Sequence, residues 1–401
     1  MSESFLHGVE VITIDDGPRP IQTVRASVVG VVGTAPDADP EKFPLNTPVL
    51  IAGRRSEAAG LDTEGNNAGT LPDALDAILG QAGAVVVVVR VKEGATEAET
   101  LANIKGGIDA ETGSYEGVHA LLSAESVLGV APRVLIAPGF TGVRPDDVTQ
   151  GKKLANPIVS ELLGIADRLR AVIIADGPDT TDEEAIAWAK DFGNKRVYVV
   201  DPGVKVMDGD GEIVLQPASA RVAGIIAKSD EERGFWWSPS NREMYGIVGT
   251  ARPVDFALGD ANCRANILNG NKVATIIRQD GYRLWGNLTL SSDPKWAFLS
   301  VVRTADMINE SLLRAHLWAV DRNITRNYVD DVAEGVNAYL AHLKGIGAVL
   351  GVTCWADEEL NTPANLAAGK VYFDFDFTPP APAQRVTFRS RMVNDYYVEV
   401  L

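Results

Sequence analysis

Residues 84–91 read "AVVVVVRV". A run of β-branched residues with no polar alternation leaves no face for water, so it reads as a strand that must be covered on both sides. That demand sets the architecture around it. Strand-like runs recur at 26–33 ("ASVVGVVG"), 48–53 ("PVLIAG"), 133–139 ("RVLIAPG"), 170–176 ("RAVIIAD") and 195–203 ("KRVYVVDPG"). Between them lie helix-patterned segments. Residues 71–79 follow Thr70 as N-cap and carry Pro72 in the first turn; residues 156–169 open on an Asn cap with Pro157 behind it. Residues 180–193 carry a capping-box pair, Thr181 and Glu184, and stop at Gly193. Apolar strands separated by amphipathic helices predict a doubly wound parallel sheet over residues 25–235.

The pattern changes after about 235. "IIRQDGYRLWG" (276–286) predicts a hairpin with a two-residue Asp280–Gly281 turn. Two helices are expected near 304–320 and 325–344; in the second, Val329, Val332, Val336, Leu340 and Leu343 form a stripe. In "KVYFDFDFTP" (370–379), Val371, Phe373, Phe375 and Phe377 share one strand face and Asp374 and Asp376 the other. A Pro-rich connector, 378–384, leads to a further candidate strand, "RVTFRSRMV" (385–393). Residues 236–392 therefore read as α+β.

Both ends are strand-like. "GVEVITID" (8–15) places Val9 and Val11 on one face and Ile12 and Ile14 on the other, before the irregular "DDGPRP" of 15–20. The last eight residues, "NDYYVEVL", alternate Tyr397, Glu399 and Leu401 against Tyr396, Val398 and Val400. A strand needs a neighbour for its N–H and C=O groups. From the residues alone the neighbour is open: the same subunit or another one.

At 401 residues two or three domains are expected. The formal net charge of -17 repels phosphates and anionic lipid, which argues against direct nucleic-acid binding. No run is long enough to insert in a membrane, and the first residues carry no signal-peptide pattern. Cys263 and Cys354 read as reduced, buried thiols.

The search for chemistry yields little. Asp374 and Asp376 have the spacing of a metal-binding pair, but strict alternation favours the solvated face of a strand. "DGDGE" (208–212) lacks the Gly and the terminal Glu of a calcium loop and reads as a turn. No phosphate-binding loop, HExxH, CxxC or GxSxG occurs. His7, His119, His316 and His342 are scattered, although His316 and His342 lie on separate helices that are able to meet. "GFWWSP" (234–239) reads as core at a domain junction before a carbohydrate platform. No catalytic residue, metal site or cofactor is assigned.

Several stretches together resemble the contractile tail sheath proteins of tailed phages and R-type pyocins: "FLHGVEV" (5–11), "LRAVIIADGP" (169–178), "RVYVVDPGV" (196–204), "GFWWSPSNREMYGIVGTARPV" (234–254), "ATIIRQDGYRLWGNLTLSSDPKWAFLSVVRTADMI" (274–308), "HLWAVDRNIT" (316–325) and "GKVYFDFDF" (369–377). Their order spans essentially the whole chain.

The resemblance implies a polymer rather than an enzyme: stacked hexameric rings around an inner tube, metastable until a baseplate signal makes the sheath contract and drive the tube through the target cell envelope, without nucleotide. It implies a virion or tailocin component made in the bacterial cytoplasm. Its partners would be further copies of itself, the inner tube protein, and baseplate and tail terminator proteins. It implies an α/β outer domain (25–235) inserted in an α+β inner domain (1–24 with 236–392), with terminal strands exchanged between subunits. The implied donors are Val9, Val11, Ile12 and Ile14 in the N-terminal arm and Tyr397, Val398, Glu399, Val400 and Leu401 in the C-terminal arm (393–401). Arg314, Arg322 and Arg326 form a basic patch that is either the tube contact or a solvated helix end. The name subtilisin-like, used for part of this fold, implies no protease here. The competing reading is a doubly wound α/β enzyme of unknown substrate with an α+β appendage; it expects a pocket outside the strand carboxyl ends with perturbed titratable groups.

Overall fold

The computed structural model describes residues 21–147 and 151–400. The expected N-terminal strand residues Val9, Val11, Ile12 and Ile14, and Leu401, lie outside the described residues. The chain divides into two units, one of residues 26–303 with 381–401, the other of residues 304–380 with the chain up to 25.

The first unit is built on one eight-stranded sheet. Its strands are β1 (Val29–Thr34), β2 (Pro48–Ala52), β3 (Val85–Val91), β4 (Val134–Ile136), β5 (Val172–Asp176) and β6 (Val197–Val200). Beyond these, β7 (Val204–Met207), β8 (Ile213–Gln216) and β9 (Gly249–Thr250) make a small antiparallel sheet in the order β8-β7-β9. The large sheet is completed by β10 (Val273–Arg278) and β11 (Tyr282–Trp285), in the order β11-β10-β6-β5-β4-β1-β3-β2. The pairings from β3 to β10 are parallel; β2 and β11 are antiparallel edges.

Both faces are covered, as the valine run requires. Val86 and Val88 face a core with Leu71, Leu75 and Ile78 of α1 (Leu71–Leu79). Val87 and Val89 face another, with Ile104 of α2 (Glu97–Lys105) and Ile158 and Leu162 of α3 (Pro157–Leu169). Trp188 of α4 (Asp182–Lys190) belongs to the second core; Val222 and Ile226 of α5 (Ser219–Arg233) belong to the first. The one charge in the run, Arg90, is buried and donates to the carbonyls of Phe43 (2.6 Å) and Ala35 (3.2 Å).

The caps follow the sequence with two changes. Asn156 Oδ1 accepts from the Ile158 and Val159 N–H groups, both at 2.9 Å, and Thr181 accepts from the Glu184 N–H. The Glu184 carboxylate takes the Thr180 hydroxyl instead of closing a capping box. Thr70 stands at the N-cap, but its hydroxyl accepts the Thr34 N–H at 3.1 Å and so ties α1 to the end of β1.

The hairpin at 276–286 is displaced from expectation. It belongs to the large sheet, not to a separate C-terminal domain: β10 lies parallel to β6 through Val199↔Val273 and Val200↔Ala274. Tyr198, fully buried, donates its hydroxyl to the Gly286 carbonyl at 2.7 Å and locks the hairpin's end to the sheet. The break expected near 235 therefore falls near 303. The turn spans three residues, Gln279 to Gly281, with Asp280 (φ 50°) and Gly281 (φ 99°) in left-handed conformations. Also in this unit, α6 (Arg264–Gly270) packs on β10.

The helix α7 (Leu299–Ala315) leads into the second unit. There α8 (Arg326–Gly345) buries Val332, Val336, Leu340 and Leu343, while Val329 is half-buried. Against α8 packs a two-stranded antiparallel sheet of β12 (Gly351–Ala356) and β13 (Phe373–Thr378). Among the described residues no helix is long and apolar enough to cross a membrane.

The strands expected at 385–393 and 394–401 are not strands in the single chain. Residues 383–397 are exposed, residues 381–393 have no regular structure, and Asp395–Val400 form a 3-10 helix. The physical reason is local: an extended segment without a neighbouring edge leaves its backbone groups to water or to short-range bonds, such as Tyr397 N–H to the Asn394 carbonyl at 3.0 Å.

Candidate functional site

Three features merit the name of site. The first is a cleft of about 460 Å³ over the carboxyl ends of β4, β5 and β6, lined among others by Gly142, Arg144, Asp176, Asp179 and Glu184. Ligand sites of α/β sheets lie at such strand ends. Asp176 ends β5; burial pushes its carboxyl up to about 6, although it accepts from the Ser219 N–H (2.7 Å) and hydroxyl (2.6 Å). Ser219 opens α5, so Asp176 serves as an acceptor at that helix's N-terminus.

Asp201, wholly buried after β6, accepts the Asp179 N–H at 2.8 Å and is paired with Arg252. Burial raises the Asp201 carboxyl in spite of that cation. Arg252 also donates to Asp182 Oδ1 at 2.9 Å, and Arg264 Nε donates to Asp182 Oδ2 at 2.8 Å. Burial opposes charge at Asp182, yet the two guanidinium groups prevail and hold its carboxyl below the ordinary range. Asp201, Arg252, Asp182 and Arg264 thus alternate in sign, the first two in the segments that follow β6 and β9 and the last two at the first residues of α4 and α6. These carboxylates are engaged with backbone donors and fixed guanidinium groups. No histidine or cysteine lines the cleft. His119 bonds Glu161 at 2.9 Å and His316 bonds the Leu312 carbonyl at 2.6 Å. The network staples loops; it offers no nucleophile with a base beside it.

The second feature is the β12–β13 sheet. Val352↔Phe377, Cys354↔Phe375 and Ala356↔Phe373 share one face; Phe375 and Phe377 stack at 5.9 Å. Thr353, Trp355, Asp374 and Asp376 share the other, exposed face. The paired carboxylates thus lie on a solvated face, and no group of three or more metal-ligating side chains occurs among the described residues. Asp357 donates its N–H to the Tyr372 carbonyl at 3.1 Å, in the register that pairs Trp355 with Asp374. Bonded pairs alternate in an antiparallel ladder. Hence Phe373, Phe375 and Phe377 point their N–H and C=O groups away from β12, and Val352, Cys354 and Ala356 point theirs away from β13. On the β12 side, Asn337 of α8 takes both groups of Cys354. On the β13 side no strand lies alongside among the described residues. A two-stranded sheet is marginal alone, and its open edge is a template for another chain.

The third feature is the corner between α7 and α8. Arg314 donates to Glu310 Oε1 at 2.7 Å, Arg322 lies over the Trp318 ring at 4.8 Å, and Arg326 is exposed, 3.8 Å from Asp330. Leu313, Leu317 and Val320, exposed between them, add an apolar component. Of "GFWWSP", Phe235 is buried and Trp236 half-buried, but Trp237 is exposed beside Arg233. In "DGDGE" the Asp208 carboxylate accepts the Asp210 and Glu212 N–H groups and closes the β7–β8 turn. Asn337, Arg252 and Asp201 were not singled out from sequence. An Asp just past an apolar strand is a usable signal for Asp201; the other two have none locally.

Comparison with known proteins adds an independent line. Residues 113–290 match the family described as phage tail sheath protein central domain, residues 291–392 the phage tail sheath C-terminal domain, and residues 26–91 the tail sheath protein Gp18 domain III N-terminal region. The chain is 43% identical over 400 residues to a putative prophage major tail sheath protein of Pseudomonas aeruginosa (strain UCBPP-PA14), covering 99% of each. It is 36% identical over 405 residues to the tail sheath protein of Escherichia phage P2, covering 99% of this chain and 98% of the relative. Its fold is similar to the anti-feeding prophage helical sheath in the contracted state (TM-score 0.69, 20% identity, 97% and 100% covered). It is similar also to the PVC sheath complex of an extracellular contractile injection system in the contracted state (TM-score 0.68, 17% identity, 98% and 99% covered).

Proposed function

This chain belongs to the phage tail sheath family, and from that premise we propose that it polymerises as stacked hexameric rings around an inner tube and contracts to drive the tube through a target cell envelope. It is a structural subunit of a contractile tail, a component of a virion or tailocin particle, made in the bacterial cytoplasm. Family membership implies no catalysis, and the cleft supports this, because its acids are engaged in stapling loops. The relatives lend no support to the enzyme reading.

One observation carries the assembly reading: the exposure of large apolar side chains on the C-terminal segment. Val386, Phe388 and Met392 are 67%, 92% and 97% exposed, and Tyr396 and Tyr397 more than two-thirds. A subunit that worked alone would hide such groups. Together with the open edge of β13, they support exchange of terminal strands between neighbours. The C-terminal donor includes Tyr397, Val398, Glu399, Val400 and Leu401. The N-terminal donor is the segment of Val9, Val11, Ile12 and Ile14. Head-to-tail contacts of this kind propagate instead of closing. The unit containing α8 and the β12–β13 sheet is the inner, tube-facing part. The corner of Arg314, Arg322 and Arg326, with its exposed leucines, is the tube contact. Baseplate and terminator proteins engage the ends of the polymer.

The test compares the intact chain with one lacking residues 385–401, by sedimentation velocity and negative-stain microscopy. Tubes from the intact chain and discrete soluble particles from the shortened one are expected. Equal polymerisation of both would overturn the exchange.

A further inference from the structure

The hairpin of β7 and β8 turns its larger apolar side chains outward. Its pairs are Val204↔Gln216, Lys205↔Leu215, Val206↔Val214 and Met207↔Ile213. Opposite residues share a face, so Met207, Ile213 and Leu215 lie together with Lys205. The three apolar residues are 60%, 59% and 61% exposed. The inward face holds Val204 and Val206 in the core, with Val214 packed against it. A slip of one residue in β8 would turn Ile213 and Leu215 inward. Both ends of the strand oppose it. Gln216 Oε1 accepts from the buried Arg221 at 2.8 Å. The Asp208 carboxylate accepts the Asp210 and Glu212 N–H groups at 3.0 and 2.8 Å, and Gly211 (φ 83°) closes the turn. Large apolar side chains held in water by a fixed register mark a contact surface.

The rim of this face is acidic. Asp210 and Glu212 are exposed at the turn, and neither forms an ion pair among the described residues. The same unit carries a surface of complementary chemistry. On the second half of α5, Lys228 lies over the Tyr245 ring at 4.4 Å, and Arg233 over the Trp237 ring at 5.4 Å. Both rings are exposed. Among the described residues neither cation has a carboxylate partner. Of the acids nearby, Glu232 is taken by Arg242, Glu243 accepts the Tyr245 hydroxyl and pairs with Arg283, and Glu231 is exposed. Trp, Tyr and Arg are the residues on which interface energy concentrates, and a methionine sulfur packs well at an aromatic ring.

We infer that the outward face of the β7–β8 hairpin docks on the Lys228–Tyr245 and Arg233–Trp237 surface of a second copy, with Met207 and Ile213 against the rings and Asp210 and Glu212 beside the two cations. The inference rests on the reading of this chain as a polymer subunit. Two different surfaces meet, so the contact is heterologous and extends an assembly instead of closing a pair. It is small against a stand-alone interface, which buries about 1,600 Å². Within a polymer already held by other links it forms at high effective concentration, so a modest contact suffices.

The experiment uses the full chain in two arms. In the first, Gly209→Cys is combined with Glu231→Cys, two exposed positions beside the contact that leave its residues in place. After assembly and treatment with a short bismaleimide, a ladder of covalent multimers is expected on denaturing gels, and monomer alone from each single variant, because Cys263 and Cys354 are buried. In the second, Asp210→Lys with Glu212→Lys, and separately Lys228→Glu with Arg233→Glu, are each expected to weaken self-association about tenfold at low salt, read by sedimentation velocity with circular dichroism as a check on folding. The four reversals combined in one chain are expected to restore it. Polymers that yield no multimers with the cross-linker, normal assembly of either reversed variant, or failure of the combined chain to recover would overturn this contact while the polymer reading stands. A chain that forms no polymer at all would overturn that reading, and this contact with it. The cysteine pair decides the contact even where a reversed variant folds poorly.

Discussion

Asn337 occupies both main-chain groups of Cys354, an intramolecular amide bound to a strand edge as another strand would be. The arrangement ties α8 to β12 at the centre of a sheet that has two strands among the described residues. It also closes one edge of that sheet, while along the other no strand lies among the described residues.

Replacing Asn337 by Ala removes two hydrogen bonds to a half-buried site. A loss of about 1–2 kcal/mol in stability is expected, measured by denaturant unfolding of the unassembled chain. Asn337→Asp keeps the acceptor but loses the donor, and should fall between the two. A variant as stable as the parent would show that water replaces the amide without cost.

Arg252→Met should be among the more damaging single substitutions in the larger unit. It leaves Asp201, wholly buried, without its cation and removes one of two partners of Asp182. Breaking a buried pair from one side costs about 3–5 kcal/mol. Adding Asp201→Asn to the same chain should recover part of the loss, because the uncompensated charge is then gone. The midpoint of thermal unfolding reads both.

Asp176 predicts a pH dependence. Its folded carboxyl is raised from 3.8 to about 6, so the folded state holds the proton over a range where the unfolded chain has released it. Its contribution is greatest below the unfolded value and is lost as pH rises through about 6. Asp176→Asn should flatten the stability profile in that window alone. The measurement is a series of denaturant titrations across it; an unchanged slope would assign the dependence to other groups.

At the corner between α7 and α8, Leu317 is 78% exposed and the Arg326 side chain 94%. Leu317→Glu and Arg326→Glu should leave subunit stability within about 0.5 kcal/mol yet reduce co-sedimentation with preformed inner tubes. Tube binding unaffected by both together would move the contact elsewhere.

The parallel sheet was legible because its strands are buried on both faces and therefore nearly all apolar, with capped helices between. The hairpin of β10 and β11 was legible as a hairpin but not as part of that sheet. Its attachment rests on Val273 lying beside Val199 and on the Tyr198 hydroxyl reaching Gly286, relations between residues about seventy to ninety positions apart that leave no local trace. The assembly elements were legible as alternations only. Residues 385–393 read as a strand but have no regular structure and are exposed in the single chain, since alternation states which faces a segment would present, not whether an edge is there to meet it.

By itself the sequence determined the apolar strands of the parallel sheet, the helices at 71–79, 156–169 and 180–193, the capping at Asn156 and Thr181, the acidic surface and the sheath kinship, because these depend on neighbours a few residues apart or on residue order along the chain. Only the tertiary structure decided that the 273–285 hairpin joins the large sheet, that Asp176 and Asp201 serve as internal staples, and that Asn337 closes one edge of the small sheet while no strand among the described residues lies along the other. Hydrogen bonds of that kind join groups distant in the chain, and their geometry exists only once the backbone has folded around them.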